Sequence, residues 1–276
     1  MAELSQKDLA VVIVSWNVKD ALLANLESVF GSTVVSFDVI VVDNASSDGT
    51  VDAVRASFPE VTVIANTENV GFAKGCNQGI QRVTRNAELG APNSDVPGSG
   101  LRAPHVLLLN PDMRVEPDAL AKTVAYLDAH PDVAVVGARL IGQDGKVMRH
   151  LRRFPSYVSQ VVIALKLQRV FKGVIANYMG EDLDLEKEQD VDSVRGSYFA
   201  INRTALEKIG MLDERYFIWM EEVDYCRQAK QKGMRVRYVP SIVAHDLVGR
   251  SFAQRNTWWK RKQFATSMAT YFWKWL

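Results

Sequence analysis

The chain has 276 residues, 47% of them hydrophobic, and a formal net charge of +1. That supports one large globular domain, or a domain with an appended lobe. It argues against nucleic acid as a main partner, because phosphate backbones demand a basic surface. The two cysteines, Cys76 and Cys226, are far apart and show no C-x-x-C spacing. Neither a disulfide framework nor a zinc site is expected, and a reducing, cytoplasmic compartment is the default. The N-terminal stretch MAELSQKDLA is polar and carries acids, unlike a signal peptide. No apolar run reaches the roughly 18 residues of a membrane span.

Short apolar runs alternate with helical patterns through the first half. AVVIVSW (10–16) reads as a buried strand and KDALLANLESVF as a helix. FDVIVVD (37–43) is a second strand, followed by a helix with Ser47 or Asp48 as its N-cap. VTVIAN (61–66) and GFAKGCNQGIQRVTR continue the alternation. HVLLLN (105–110) is a fourth strand, EPDALAKTVAYLDAH a helix with Pro117 in its first turn, and VAVVGARL (133–140) a fifth strand. The pattern predicts an α/β fold: a mostly parallel central sheet with helices on both faces. Ligands of such sheets bind beyond the carboxyl ends of the strands, where Asp43, Asn66 and Asn110-Pro111-Asp112 fall.

The second half reads differently. Residues 86–104 form a Gly/Pro/Ser/Asn-rich loop, and GQDGKV (142–147) a hairpin turn. Residues 164–175 place Leu167, Val170, Phe171, Val174 and Ile175 on one helical face and Lys166, Arg169 and Lys172 on the other. The acidic stretch 180–192 is a solvated loop. SVRGSYFAINRTAL is a strand into a helix, and FIWMEEVDYCRQAKQKG a helix ending at Gly233. RVRYV and SIVAH are two short strands. In the tail, Phe264, Met268, Tyr271, Phe272 and Trp275 share a helical face, with Lys260, Arg261 and Lys262 at its start. That pattern fits an interfacial helix on a lipid surface; the alternatives are a helix closing the core or a homodimer contact.

Several constellations carry chemistry. Asp43 can accept hydrogen bonds from a base or ribose, although Asp, Asn, Ser and Gly are also plain turn residues. Gly71, Gly75 and Gly79 share a helical face, so a neighbouring backbone or a ligand can approach closely; the spacing is not the dinucleotide G-x-G-x-x-G. Asn110-Pro111-Asp112 is either a turn or an oxygen-rich strand tip suited to Mg²⁺ or Mn²⁺. Glu221, Glu222 and Asp224 beside Trp219 are either acids complementing a helix dipole or a general base with neighbours that raise its pKa. His245 is either a structural histidine or a metal ligand paired with Asp112.

Taken in order, VVIVSWN, VIVVDNASSDGT, NVGFAKGCNQGI, LLLNPDMRV, RGSYFAINRTAL and FIWMEEVDYCRQ resemble the successive signatures of the family 2 inverting glycosyltransferases with the GT-A fold. The bacterial rhamnosyltransferases are the subgroup they look most like. The resemblance spans roughly residues 9–250. It implies a GT-A domain over 1–252, with a nucleotide-sugar-binding half (9–140) and an acceptor and catalytic half (141–252), and a separate aromatic helix over 253–276.

The resemblance also implies roles. Ser15, Trp16 and Asp43 would line the nucleotide pocket, with Asn69, Gly71 and Lys74 near the base and diphosphate. Asn110-Pro111-Asp112 stands where the family has its Asp-x-Asp signature. Asp112 would hold the divalent cation on the donor diphosphate, and His245 would complete that site. Glu222 matches the catalytic base, and Arg195, Gly196, Ser197 and Trp219 would border the acceptor. Two positions depart from the family. Asn110 replaces the first acid, which weakens the demand for metal. Glu222 replaces Asp, which leaves Glu221 and Asp224 as alternative bases.

The implied reaction moves a sugar, rhamnose from dTDP-rhamnose by the subgroup, from a nucleotide-sugar donor to a glycan or lipid-linked acceptor in cell-envelope polysaccharide assembly. The C-terminal helix would give peripheral contact with the inner face of the cell membrane. Two other readings differ in class. A sugar-nucleotide pyrophosphorylase would need a glycine-rich loop after the first strand, where SWNVKDALL has no glycine. A non-catalytic nucleotide-binding scaffold would not need the full set of acids.

Overall fold

A computed structural model describes residues 7–89, 105–247 and 257–275, with side chains at all of these positions except 85–89. The first half alternates as expected: β1 (Leu9–Ser15), α1 (Lys19–Phe30), β2 (Phe37–Asp43), α2 (Thr50–Ser57), β3 (Thr62–Ala65), α3 (Phe72–Leu89) and β4 (His105–Leu109). There follow β5 (Met113–Val115), α4 (Ala119–Ala129), β6 (Val133–Ile141), α5 (Tyr157–Ala164), α6 (Lys172–Tyr178), β7 (Gln189–Asp190), β8 (Tyr198–Ile201), α7 (Arg203–Ile209), α8 (Glu221–Gln231) and β9 (Arg235–Asp246). Helix α9 (Thr257–Trp275) is the last described element.

One nine-stranded sheet runs β3-β2-β1-β4-β8-β6-β9-β5, with β7 on β9. β1 pairs in parallel with both β2 and β4. β8 is antiparallel to β4 and β6, so the second half of the chain is built into the same sheet as the first. Period-two alternation along β1 sends Leu9, Val11 and Ile13 to one core and Ala10 and Val12 to the other. Helices α1 and α4 cover the first face, and α3, α7 and α8 the second.

The three glycines of α3 and its approach are explained by packing. A Cβ on Gly75 would lie 3.0 Å from Val14 Cγ1, and one on Gly79 only 2.4 Å from Val12 Cγ1. The helix therefore rests its backbone against β1.

Several boundaries differ from expectation. The cap of α2 is Gly49, at φ 79°, and neither Ser47 nor Asp48; Asp48 Oδ1 accepts from Thr50 N at 3.1 Å. Pro117 lies outside α4, which begins two residues later, after Asp118. Residues 86–89 belong to α3, and the rest of the expected 86–104 loop lies outside the described residues.

The single helix expected over 164–175 is two helices. Lys166, at φ 56°, breaks it, and a turn runs to Phe171 before α6. RVRYV and SIVAH are one strand, β9, whose pairing with β6 jumps from Val239 to Val243. Pro240 lacks an N–H for the ladder, and a bulge at that point accommodates it. The hairpin at 142–147 is present, with Gly145 at φ 73° and Gly142 N donating to Lys146 O.

The face expected of α9 turns inward. Met268 and Tyr271 are buried against Tyr216 and Met220, and Phe272 stacks on Tyr157 with ring centroids 4.2 Å apart. Trp275 Nε1 donates to Asp224 Oδ1 at 2.7 Å. Trp258 and Trp273 are the tryptophans of this helix left largely exposed. No described helix is long and apolar enough to cross a membrane.

Candidate active site

A cleft opens at the carboxyl ends of β1 and β4. Seven of the expected site residues line it: Ser15, Trp16, Asn69, Gly71, Asn110, Asp112 and Arg195. Asn44, Phe217, Asp246 and Trp259 line it as well.

The polar tip after β4 is a fixed turn. Met113 N donates to Asn110 O at 3.2 Å. The buried Asn25 of α1 donates its amide to Asn110 O at 3.2 Å and Met113 O at 2.8 Å. On the far side Asn110 N donates to Ser197 O at the start of β8. The backbone is thus held from both sides, and Asn110 and Asp112 are presented to the cleft.

The wall at α3 is a second fixed piece. Asn44 donates to Gly71 O at 3.1 Å, and Asn69 Oδ1 accepts from Gly71 N at 3.0 Å. Gly71 has φ 90°, and a Cβ there would stand 2.6 Å from Phe217 O. Only glycine suits both constraints. Phe217 O also accepts from Phe72 N at 2.7 Å, which ties this wall to the segment before α8.

That segment is strained. Trp219 and Met220 have φ 66° and 74°. Each left-handed non-glycine residue costs about 1–3 kcal/mol, so its surroundings must impose the shape. Helix α9 does so: Ser267 Oγ donates to Ile218 O at 2.8 Å, Phe264 meets Trp219 edge-on at 5.9 Å, and Trp259 meets Phe217 at 5.8 Å. The strained pair delivers Glu221 and Glu222 at the first turn of α8.

The three acids differ sharply. Asp224 is fully buried, and its oxygens accept from Gln228, Lys274, Trp275 and the Tyr216 hydroxyl. It fastens α9 to α8 and has no path to a substrate, which removes it as an alternative base. Glu221 is 3% exposed, and its Oε2 has no hydrogen-bond partner. Burial pushes its carboxyl well above the ordinary range, and the charge of Glu222 adds to the shift. Burial also raises Glu222, but its own backbone N–H and the Arg195 guanidinium oppose the rise. Of the two, Glu222 is the better anion and Glu221 the better neutral acid. Glu222 Oε2 is buried without a partner, and Gly196 faces its side chain, so that a Cβ there would meet it at 3.8 Å.

Other expected residues lie away from the cleft. His245 Nε2 is 2.6 Å from Glu116 Oε1. The bulge in β9 and the pairing of His245 with Ile141 and Arg114 place it apart from the cleft lining. This corrects its expected pairing with Asp112. Its neighbour Asp246, which the sequence reading passed over, pairs with Met113 on β5, lines the cleft and meets Arg195 Nη1 at 2.9 Å.

Asp43 accepts from Ser46 N at 2.8 Å as a turn residue, yet its Oδ1 is buried without a partner. Asn44 takes its place in the lining. Lys74 is exposed on the first turn of α3, Ser197 is buried, and Trp219 packs on α9; none of the three lines the cleft. Cys76 and Cys226 are buried free thiols.

The family model for "Glycosyl transferase family 2" matches residues 10–210. The chain belongs to glycosyltransferase family 2. The chain is 28% identical over 236 residues to an N-acetylglucosaminyl-diphospho-decaprenol L-rhamnosyltransferase of Mycobacterium tuberculosis, covering 84% of this chain and 74% of that one. The rhamnosyltransferase WbbL of Escherichia coli is 24% identical over 165 residues, covering 57% of this glycosyltransferase and 59% of its relative.

Among solved structures, a mannosyltransferase from Pyrobaculum calidifontis in complex with GDP-Man and Mn²⁺ superposes with a TM-score of 0.59 at 19% identity, over 90% of this chain. GalNAc-T7 with UDP, GalNAc and Mn²⁺ gives a TM-score of 0.59 at 16% identity, over 89%. These matches show the GT-A fold. The family 2 chain spans 59% and 45% of those two structures' own lengths.

Proposed function

We propose that this glycosyltransferase moves a sugar, rhamnose from dTDP-rhamnose, to a hydroxyl of a glycan or lipid-linked acceptor in cell-envelope polysaccharide assembly, with inversion. One observation carries the reading. Asp112, at a strand tip, and Arg195 line one cleft, and the Arg195 charge acts on Glu222, which lies outside the lining with a buried Oε2 that has no hydrogen-bond partner. The rhamnosyltransferase names of two relatives support the donor sugar.

Each residue has a part in this reading. Trp16 offers a flat apolar face to the base and Asn69 a polar contact to the nucleoside, while buried Asp43 shapes the turn behind them. Lys74, exposed on the first turn of α3, adds charge for the diphosphate. Asp112 suits a divalent cation. Among the described residues no cluster of three His, Cys, Asp or Glu side chains could hold a metal by itself. The residues fit a cation, Mg²⁺ or Mn²⁺, that takes one or two protein carboxylates and most of its ligands from donor phosphates and water. Such a cation would supply positive charge for the leaving nucleoside diphosphate. Glu222, raised by burial against the opposing charge of Arg195, takes the proton of the attacking acceptor hydroxyl. Gly196 leaves room beside it, and Ser197 and Trp219 shape the acceptor side.

Exposed Trp258 and Trp273, with the cations at the start of α9, support a peripheral location at the inner face of the membrane. The test of the reaction is nucleoside diphosphate release from a panel of nucleotide sugars, with and without Mn²⁺. Turnover of dTDP-rhamnose is expected. The Glu222→Gln variant should lose about 10²–10⁴-fold in kcat with donor affinity kept. Asp112→Asn should instead weaken donor binding. A UDP-sugar preference would reassign the donor. Pyrophosphate released from a sugar phosphate and a nucleoside triphosphate would overturn the transferase reading.

A further inference from the structure

Helix α5 is amphipathic in an unusual sense. Ser159 and Val162 face the protein and are buried. Val158, Val161 and Leu165, spaced three and four residues apart on the adjoining side, are 59%, 53% and 63% exposed. After the break at Lys166 the turn continues the same exposure, with Val170 at 72% and Phe171 at 46%. Five of the large hydrophobic side chains that the described residues leave to water are thus gathered in fourteen consecutive positions, 158–171. Lys166, Arg169 and Lys172 are exposed among them. From Pro155 to Gly180 the chain carries those three cations and no carboxylate.

We propose that the outward face of α5 and the turn into α6 form a docking surface for an anionic lipid bilayer. Exposed apolar side chains alone name no partner; the three exposed cations in a stretch without carboxylates do. Apolar groups enter the acyl boundary while lysine and arginine meet phosphate headgroups. A protein partner's core would gain from the apolar groups but would have to bury or neutralise the cations. The Tyr157–Phe272 stack fixes this face to α9, whose Trp259 lines the cleft. A bilayer held there would keep a constant relation to the cleft. The inference extends the peripheral location proposed above to a surface outside residues 255–276, and it does not depend on the transfer chemistry.

The test is sedimentation of the full chain with vesicles of phosphatidylcholine alone and of phosphatidylcholine with an equal part of phosphatidylglycerol. Binding to the anionic vesicles is expected, weakened by salt. It should fall at least about tenfold in Leu165→Glu/Phe171→Glu and in Lys166→Gln/Arg169→Gln/Lys172→Gln. All five positions are exposed, and circular dichroism checks that the fold is kept. Wild-type-like binding by both variants, with loss in Trp258→Ser/Trp273→Ser, would overturn this inference and leave the contact with α9. No binding by the unaltered chain would end both readings. A dimer in solution that the first variant splits would assign the face to a second copy and overturn the lipid assignment.

Discussion

Arg195 Nη1 stands 2.9 Å from Asp246 Oδ2 inside the cleft, and the same guanidinium lowers the proton affinity of Glu222. The buried acid thereby fixes the position of a charge that acts on the proposed base. Replacing Arg195 by Met removes that charge, so the Glu222 carboxyl, already raised by burial, should rise further. Because the base must be ionised, the acid limb of kcat/KM should move to higher pH. Activity should fall more at pH 6 than at pH 8. A pH profile of donor turnover checks this; a uniform loss across pH would show that Arg195 only binds substrate.

Glu221 makes a prediction about stability. Its folded pKa lies well above the unfolded value, mainly through burial. Below the unfolded value, about 4.3, both states are protonated and the shift costs nothing. As pH rises, the unfolded chain releases a proton that the folded chain keeps, and stability falls until the folded pKa is passed. Glu221→Gln cannot titrate. Its Tm relative to the unaltered chain should be near level at pH 4 and clearly higher at pH 7, as thermal melts at both pH values would show.

Lys274 bridges Asp213 at 2.8 Å and Asp224 at 2.7 Å. With Arg215, it holds Asp213 well below the usual carboxylate range. Lys274→Met leaves the fully buried Asp224 short of a counter-charge, although Trp275 and Gln228 still donate to it. We expect a loss of about 1–3 kcal/mol in a urea melt. Because α9 shapes the strained turn before Glu221, a fall in kcat at temperatures where the variant remains folded should accompany it.

Gly79→Ala separates packing from ligand contact. The added Cβ would lie 2.4 Å from Val12 Cγ1 on β1. Such overpacking costs about 1–3 kcal/mol. The double variant with Val12→Ala should recover much of the stability while donor affinity stays unchanged throughout. A donor-binding defect that survives in the double variant would contradict the packing role.

The parallel half of the sheet was legible because buried strands and amphipathic helices announce themselves in runs of a dozen residues or fewer. Asn110-Pro111-Asp112 stands out in the sequence because it ends a buried strand, whereas Trp16 and Asn69 are marked only by the family's motifs. The rest depended on contacts distant in sequence. Nothing local says that Asp224 meets Lys274 fifty residues on, or that Ser267 reaches Ile218. The break between α5 and α6 was hidden by an amphipathic pattern that continues through it. His245 is conspicuous as a histidine after a short apolar stretch, while nothing local marks Asp246. Parity along β9, counted from Val236 and Tyr238, changes at the bulge and can be read only once the register with β6 is known.

That bulge has an evolutionary consequence. Three extra residues, Pro240 to Ile242, lie between the two paired stretches of β9. Gaining or losing one residue there would exchange the faces of His245 and Asp246 without altering either. A chain could pass from a carboxylate-lined rim to an imidazole-lined one by a single codon's insertion or deletion, at positions that do not themselves line the cleft. Relatives aligned by residue identity alone would look conserved across such a change, while their chemistry at this edge of the pocket had been rewired.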